Sequence, residues 1–162
     1  MTKSRHSTSR DRRRRAVVLA VVGVAALGLA SAGASAGLVL GYDPTGLWIW
    51  SALTETPIAE VVDLRAQVGF STTGAAGLML ATASVVAHPT WAPFQPFVGV
   101  GAGAALTPPP FTTGLLVEGV GGLRVVAAPW LALLFQARVL VRWTDAGVTA
   151  GPLFEAGAEV RF

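Results

Sequence analysis

The most regular feature of the chain is an alternation of apolar and polar positions with a period of two. Over 130–143, Leu131, Leu133, Phe135, Ala137, Val139, Val141 and Trp143 fall on one face, and Gln136, Arg138 and Arg142 fall on the other. Over 153–162, Phe154, Ala156, Ala158, Val160 and Phe162 oppose Glu155, Glu159 and Arg161. Over 60–70, Val62, Leu64, Ala66, Val68 and Phe70 oppose Asp63, Arg65 and Gln67. Over 114–127, Leu115, Val117, Leu123 and Val125 oppose Glu118 and Arg124. Successive side chains of a strand point to opposite faces, so each segment predicts a strand with one apolar side and one side carrying charge.

Clusters of Pro, Gly, Asp and Thr cut the chain between these segments. Pro cannot donate to a strand ladder, so such clusters mark boundaries. They predict eight strands, at 37–42, 46–53, 60–70, 74–87, 94–106, 114–127, 130–143 and 151–162. The longer ones match the roughly 9–11 residues that a tilted strand needs to cross a bilayer. Aromatic residues fall near strand ends. Phe70, Trp143 and Phe154 mark one end, and Trp91, Phe94, Trp130 and Phe162 the other. These are the positions of interfacial girdles. Trp48 and Trp50 fit less well, with one of the two expected to face inward.

The first 36 residues follow another pattern. Residues 1–15 are polar and basic, 16–30 are uncharged and apolar, and 31–36 are small, with Ala34-Ser35-Ala36 as a cleavage motif. That order predicts a signal-peptide helix over 1–36, removed from a domain at 37–162. The reading left open beside it is an uncleaved anchor helix.

Composition sharpens the picture. Hydrophobic residues make up 52% of the 162 and charged residues only 13%, the balance of a membrane protein. A polytopic helical protein is nevertheless disfavoured, because Arg65, Glu118, Arg124, Arg138 and Arg142 interrupt every later apolar run. The net charge of +3 reports the leader alone. Seven of the twelve basic residues lie within the first fifteen positions, and beyond Ala36 five arginines face eight acids. Nucleic acid is therefore not an expected partner. There is no Cys, hence no disulfide frame or thiolate site.

These residues resemble a known group. The segment Pro96-Phe97-Val98-Gly99-Val100-Gly101-Ala102-Gly103 is similar to a glycine-alternating strand of small outer-membrane barrels of the OmpA-transmembrane-domain and opacity-porin type. Residues 154–162 resemble the last strand of that group. The resemblance implies an all-β fold, an eight-stranded antiparallel up-and-down transmembrane β-barrel, in the outer membrane of a Gram-negative cell. It also implies that Phe162 is an assembly signal read by the barrel-assembly machinery, with outer-membrane lipid as the other partner. The sequence departs from the group in its short predicted outer loops, which argues against adhesion or surface recognition.

The chemistry follows from the inward face. Asp63, Arg65, Glu118, Arg124, Arg138, Arg142, Glu155, Glu159 and Arg161 are expected to point into the lumen. An eight-stranded barrel is only just wide enough to be filled by side chains, so these charges are expected to pair. A narrow path for water or ions is the alternative, and a periplasmic barrel or sandwich binder anchored by the N-terminal helix is another. His88 follows the leader alone of its kind and precedes a proline. With Ser84 or Asp63 it could suggest the lipid-modifying enzymes found among such barrels, but no nucleophile motif surrounds it, and a solvated turn is expected. One His and no Cys make a poor metal set. Gly99, Gly101 and Gly103 lie within a strand with no helix after it, so they form no phosphate loop. The expectation is a non-enzymatic structural or envelope-integrity barrel without cofactor or metal.

Overall fold

The computed structural model describes residues 33–71, 77–89, 93–107 and 112–162. The expected signal helix falls largely at 1–32, outside the described residues. What is described is one closed antiparallel barrel. Its strands are β1 (Ser35–Tyr42), β2 (Trp48–Ala59), β3 (Val62–Ser71), β4 (Leu78–Ala87), β5 (Phe94–Thr107), β6 (Thr112–Ala128), β7 (Leu131–Thr144) and β8 (Gly147–Arg161). Each pairs with its neighbour in sequence, and β1 pairs with β8 to close the sheet. A single closed sheet rules out a two-sheet sandwich.

Most boundaries move by a few residues, and three of the shifts change the reading of the barrel. β2 does not stop at residue 53. It continues through Pro57 to Ala59, and only Glu60 and Val61 turn the chain into β3. Pro57 is accommodated because it lies beside an irregularity between Pro57 and Ala59, at the strand's end. β8 starts at Gly147, so the last hairpin turns on Asp145 and Ala146 alone. Trp143 and Arg142 give the glycine-rich start of β8 its ladder partners, opposite Val148 and Thr149. β1 starts two residues before the expected domain boundary. Ser35 and Ala36 are ladder residues, opposite Glu55 and Thr54 on β2 and Arg161 and Val160 on β8.

The first hairpin shows how local chemistry sets a turn. The Asp43 carboxylate accepts hydrogen bonds from the N–H groups of Thr45 (2.8 Å) and Leu47 (3.2 Å). Gly46 then takes a φ of 93°, which a side chain would resist.

Burial inverts that of a soluble domain. The outward side chains are apolar and exposed, among them Leu38, Val98, Val100, Leu115, Phe135 and Val139. The inward ones include most of the charges. Trp48 and Trp50 both point outward, as their equal parity requires, and Ile49 and Ser51 between them point in. They join Tyr42, Phe70, Trp143 and Phe154 at the end that carries the 43–47 turn. Phe94, Trp130 and Phe162 are exposed at the opposite, terminal end. Trp91 lies outside the described residues. No helix among the described residues is long and apolar enough to cross a membrane, which has no bearing on crossing by strands.

Candidate functional site

Among the described residues, the lumen concentrates the charged and amide side chains. β2, β3, β6, β7 and β8 each direct at least one charged or amide side chain inward, among apolar residues and glycines at the other inward positions. They meet in one connected network. Nearest the terminal end, Arg161 faces Glu159 (3.5 Å) and donates to Gln95 (2.9 Å). Glu159 is also ion-paired with Arg124, Oε1 to Nε 2.6 Å, without the alignment of a hydrogen bond. Arg124 reaches across to Glu55, which Arg65 also binds. Arg65 then donates to Gln136, and Gln136 to Glu155. Glu155 further accepts from Gln67 (2.8 Å) and Ser51 (3.4 Å), and it lies 3.5 Å from Arg138. Arg138 ends the path on Glu118 and on the Thr82 hydroxyl (3.0 Å).

Apolar residues pack around this path. Val39, Leu53, Val86, Phe97, Val120 and Leu134 form one buried cluster. Phe97 lies beneath both guanidinium groups of the terminal half, 4.7 Å from Arg65 and 5.9 Å from Arg124, so its ring face meets positive charge. Gly122 makes room for it, because a Cβ there would fall 2.6 Å from Phe97 Cζ. A second cluster of Ile49, Leu80, Ala105, Leu116 and Leu153, with Leu140, fills the lumen toward the 43–47 turn. Arg65 and Arg138 are each only 1% exposed, so the middle of the lumen is filled rather than open.

Of the nine residues expected to share the lumen, Asp63, Arg65, Glu118, Arg124, Arg138, Glu155, Glu159 and Arg161 meet in or beside this network. Asp63 sits at its edge, 4.0 Å from Arg124. Arg142 stands apart. It lines a cup of about 330 Å³ at the other mouth, with Leu47, Leu78 and Leu140, and no ion pair joins it to the other described residues. The sequence reading missed Glu55, the carboxylate that joins Arg65 to Arg124. Its alternation with Ile49, Ser51 and Leu53 was the available signal, masked by Pro57 two residues on. Gln67 and Gln136 lie on the expected inward faces, and the structure makes them bridges between charges.

His88 is not a solvated turn residue. Its Nε2 lies 3.1 Å from Asp63 Oδ2, at the rim of a recess of about 370 Å³ that also touches Glu55, Gln95, Arg124 and Glu159. Ser84 Oγ and His88 Nδ1 are both buried without a hydrogen-bond partner, so the two are not joined as a nucleophile and base would be. Among the described residues no three His, Cys, Asp or Glu side chains cluster as metal ligands would. Of the residues assigned to processing and assembly, Ala34 is buried, Ala36 lies within β1, and Phe162 is exposed beside it. Phe162 N donates to Ala34 O at 2.9 Å.

A closed barrel with an apolar exterior, aromatic ends and a charged interior defines a transmembrane β-barrel of the smallest common size. Solved structures show the same fold. The N-terminal β-barrel domain of Pseudomonas aeruginosa OprF superposes with a TM-score of 0.66 at 10% identity, covering 80% of this chain and 97% of that one. Neisserial surface protein A gives 0.60 at 16% identity, covering 80% and 94%. The outer membrane enzyme PagL gives 0.57 at 7% identity, covering 79% and 99%. No protein-family pattern matches the sequence, and no curated protein matches it either.

Proposed function

We propose that this chain is a non-enzymatic outer-membrane protein of Gram-negative bacteria with a structural or envelope-integrity role, and that its lumen is sealed. The observation that carries this reading is the filled interior. One network of arginines, carboxylates and glutamines ties β2, β3, β6, β7 and β8 together across the lumen, with apolar clusters packed around it. Such a path braces the wall and leaves no wide channel. Buried charge persists in a barrel when each group is paired and hydrogen-bonded. The exterior supports the membrane assignment, because soluble proteins rarely expose apolar area on this scale. The terminal end then faces the periplasm, the barrel-assembly machinery engages Phe162, and the basic and apolar N-terminal segment acts as a cleaved export leader.

The likeness to PagL extends to the fold, and His88 lacks the serine contact that hydrolysis would need. The test of the sealed lumen is reconstitution of the purified protein into planar bilayers. Silence over many insertions is the expected result. Discrete conductance steps would establish a pore and overturn the reading. Fractionation tests the location: the folded protein should extract only with detergent, show a β-type circular dichroism spectrum and migrate differently on gels before and after heating.

A further inference from the structure

The stretch leading into β1 contains three overlapping small-residue motifs: Ala30-Ser31-Ala32, Ala32-Gly33-Ala34 and Ala34-Ser35-Ala36. Each fits an export peptidase that accepts small side chains at the first and third positions before the cut. The sequence reading took the last of them, although small residues fit all three equally well. The barrel chooses among them, because it uses the residues that two of the three cuts would remove.

Gly33 N donates to Phe162 O at 3.1 Å, and Phe162 N donates to Ala34 O at 2.9 Å. Ala34 is 1% exposed. Ser35 and Ala36 are paired on both sides, with β2 and with β8. Ser35 also lines the mouth of the polar network, beside Glu55 and Glu159. A cut after Ala36 strips two rungs from each ladder of the shortest strand and leaves Phe162 N–H without its acceptor. A cut after Ala34 loses both backbone bonds to Phe162. A cut after Ala32 keeps them all. Gly33 has a φ of 84°, a left-handed turn where the chain leaves the ladder, so the pairing that matters begins there.

We propose that the export peptidase cuts between Ala32 and Gly33, and that the inserted chain begins at Gly33. The peptidase acts before the barrel closes, so it does not sense these contacts. The argument concerns which product can complete the β1–β8 seam. It rests on the reading of the N-terminal residues as a cleaved leader, and the test separates the two.

The full chain is expressed in a Gram-negative host, and the N-terminus of the membrane-inserted protein is determined by N-terminal sequencing and intact mass. A terminus at Gly33 is expected. A terminus at Ser35 or Gly37 overturns the proposal and leaves the leader reading intact. An uncleaved terminus overturns both. Two variants sharpen the result. Ala32→Leu should abolish the Gly33 terminus. Ala36→Leu adds bulk on the outward face of β1, next to the exposed Leu38, and should retain it. Retention of the Gly33 terminus in Ala32→Leu, or its loss in Ala36→Leu, would sink the proposal.

Discussion

At the residue scale, the lumen is governed by compensation. Arg138 is buried against Glu118, and neither has water to fall back on. Removing one partner strands the other. Arg138→Met should therefore destabilise the barrel by about 3–5 kcal/mol, the usual cost of leaving a buried charge uncompensated. Adding Glu118→Leu should recover much of that loss, and equilibrium urea unfolding in lipid vesicles would show it. Purely additive losses in the double variant would mean that the pair is not coupled. Glycine matters in a different way. A Cβ at Gly103 would run into the Ala81 carbonyl oxygen of the adjacent strand, a backbone atom with little freedom to move. Gly103→Ala should cost about 1–3 kcal/mol in the same assay. Gly151, where a Cβ meets nothing, should tolerate alanine.

The same scale shows where the sequence could and could not be read. The inward or outward direction of Arg65, Arg124, Arg138 and Glu155 was legible, because parity within a regular strand decides it. Their partners were not. Arg124 meets Glu55 across 69 positions of sequence, and Gln67 meets Glu155 across 88. Such pairs depend on the register of several ladders and on the stagger of the closed barrel, neither of which alternation encodes. Glu55 was lost for a local reason, since Pro57 disguised the end of β2 as a turn.

At the element scale, the strands with unbroken alternation were legible almost to their ends. β7 was expected at 130–143 and spans Leu131–Thr144. β8 was expected from residue 151 yet starts at Gly147, because Asp145 and Gly147 make the run from Thr144 to Thr149 read as one turn. Its ladder comes from β7, a tertiary contribution invisible in the segment itself. The lipid-facing side of β7 makes a prediction. Val139 is 54% exposed, with Phe135 and Val141 near it on the same outward face. If that face meets hydrocarbon, Val139→Arg should cost about 2–4 kcal/mol in vesicles. The same substitution at Val148, in the final hairpin near the interface, should cost about 1 kcal/mol or less. Equal costs at the two depths would argue against a membrane-spanning wall.

At the scale of the molecule, the barrel is as strong as the seam that closes it. β1 has 8 residues, whereas β6 has 17 and β8 has 15. It is held by eight rungs on each side, against fourteen between β7 and β8. A short strand with few rungs is where local opening should begin. Amide hydrogen exchange should therefore reach Val39 and Gly41 of β1 at least about tenfold sooner than Val139 and Val141 of β7. The chain has no cysteine, so an engineered bridge is free of competing thiols. Leu38 and Ala158 are partners across the seam, while Leu133 and Ala158 are partners across the β7–β8 ladder. Cysteines at 38 and 158 should slow exchange in β1, whereas cysteines at 133 and 158 should leave it unchanged. Equal protection in all strands of the unmodified protein would instead mean that the lumen network, which ties β2, β3, β6, β7 and β8 together, makes the whole wall open as one unit.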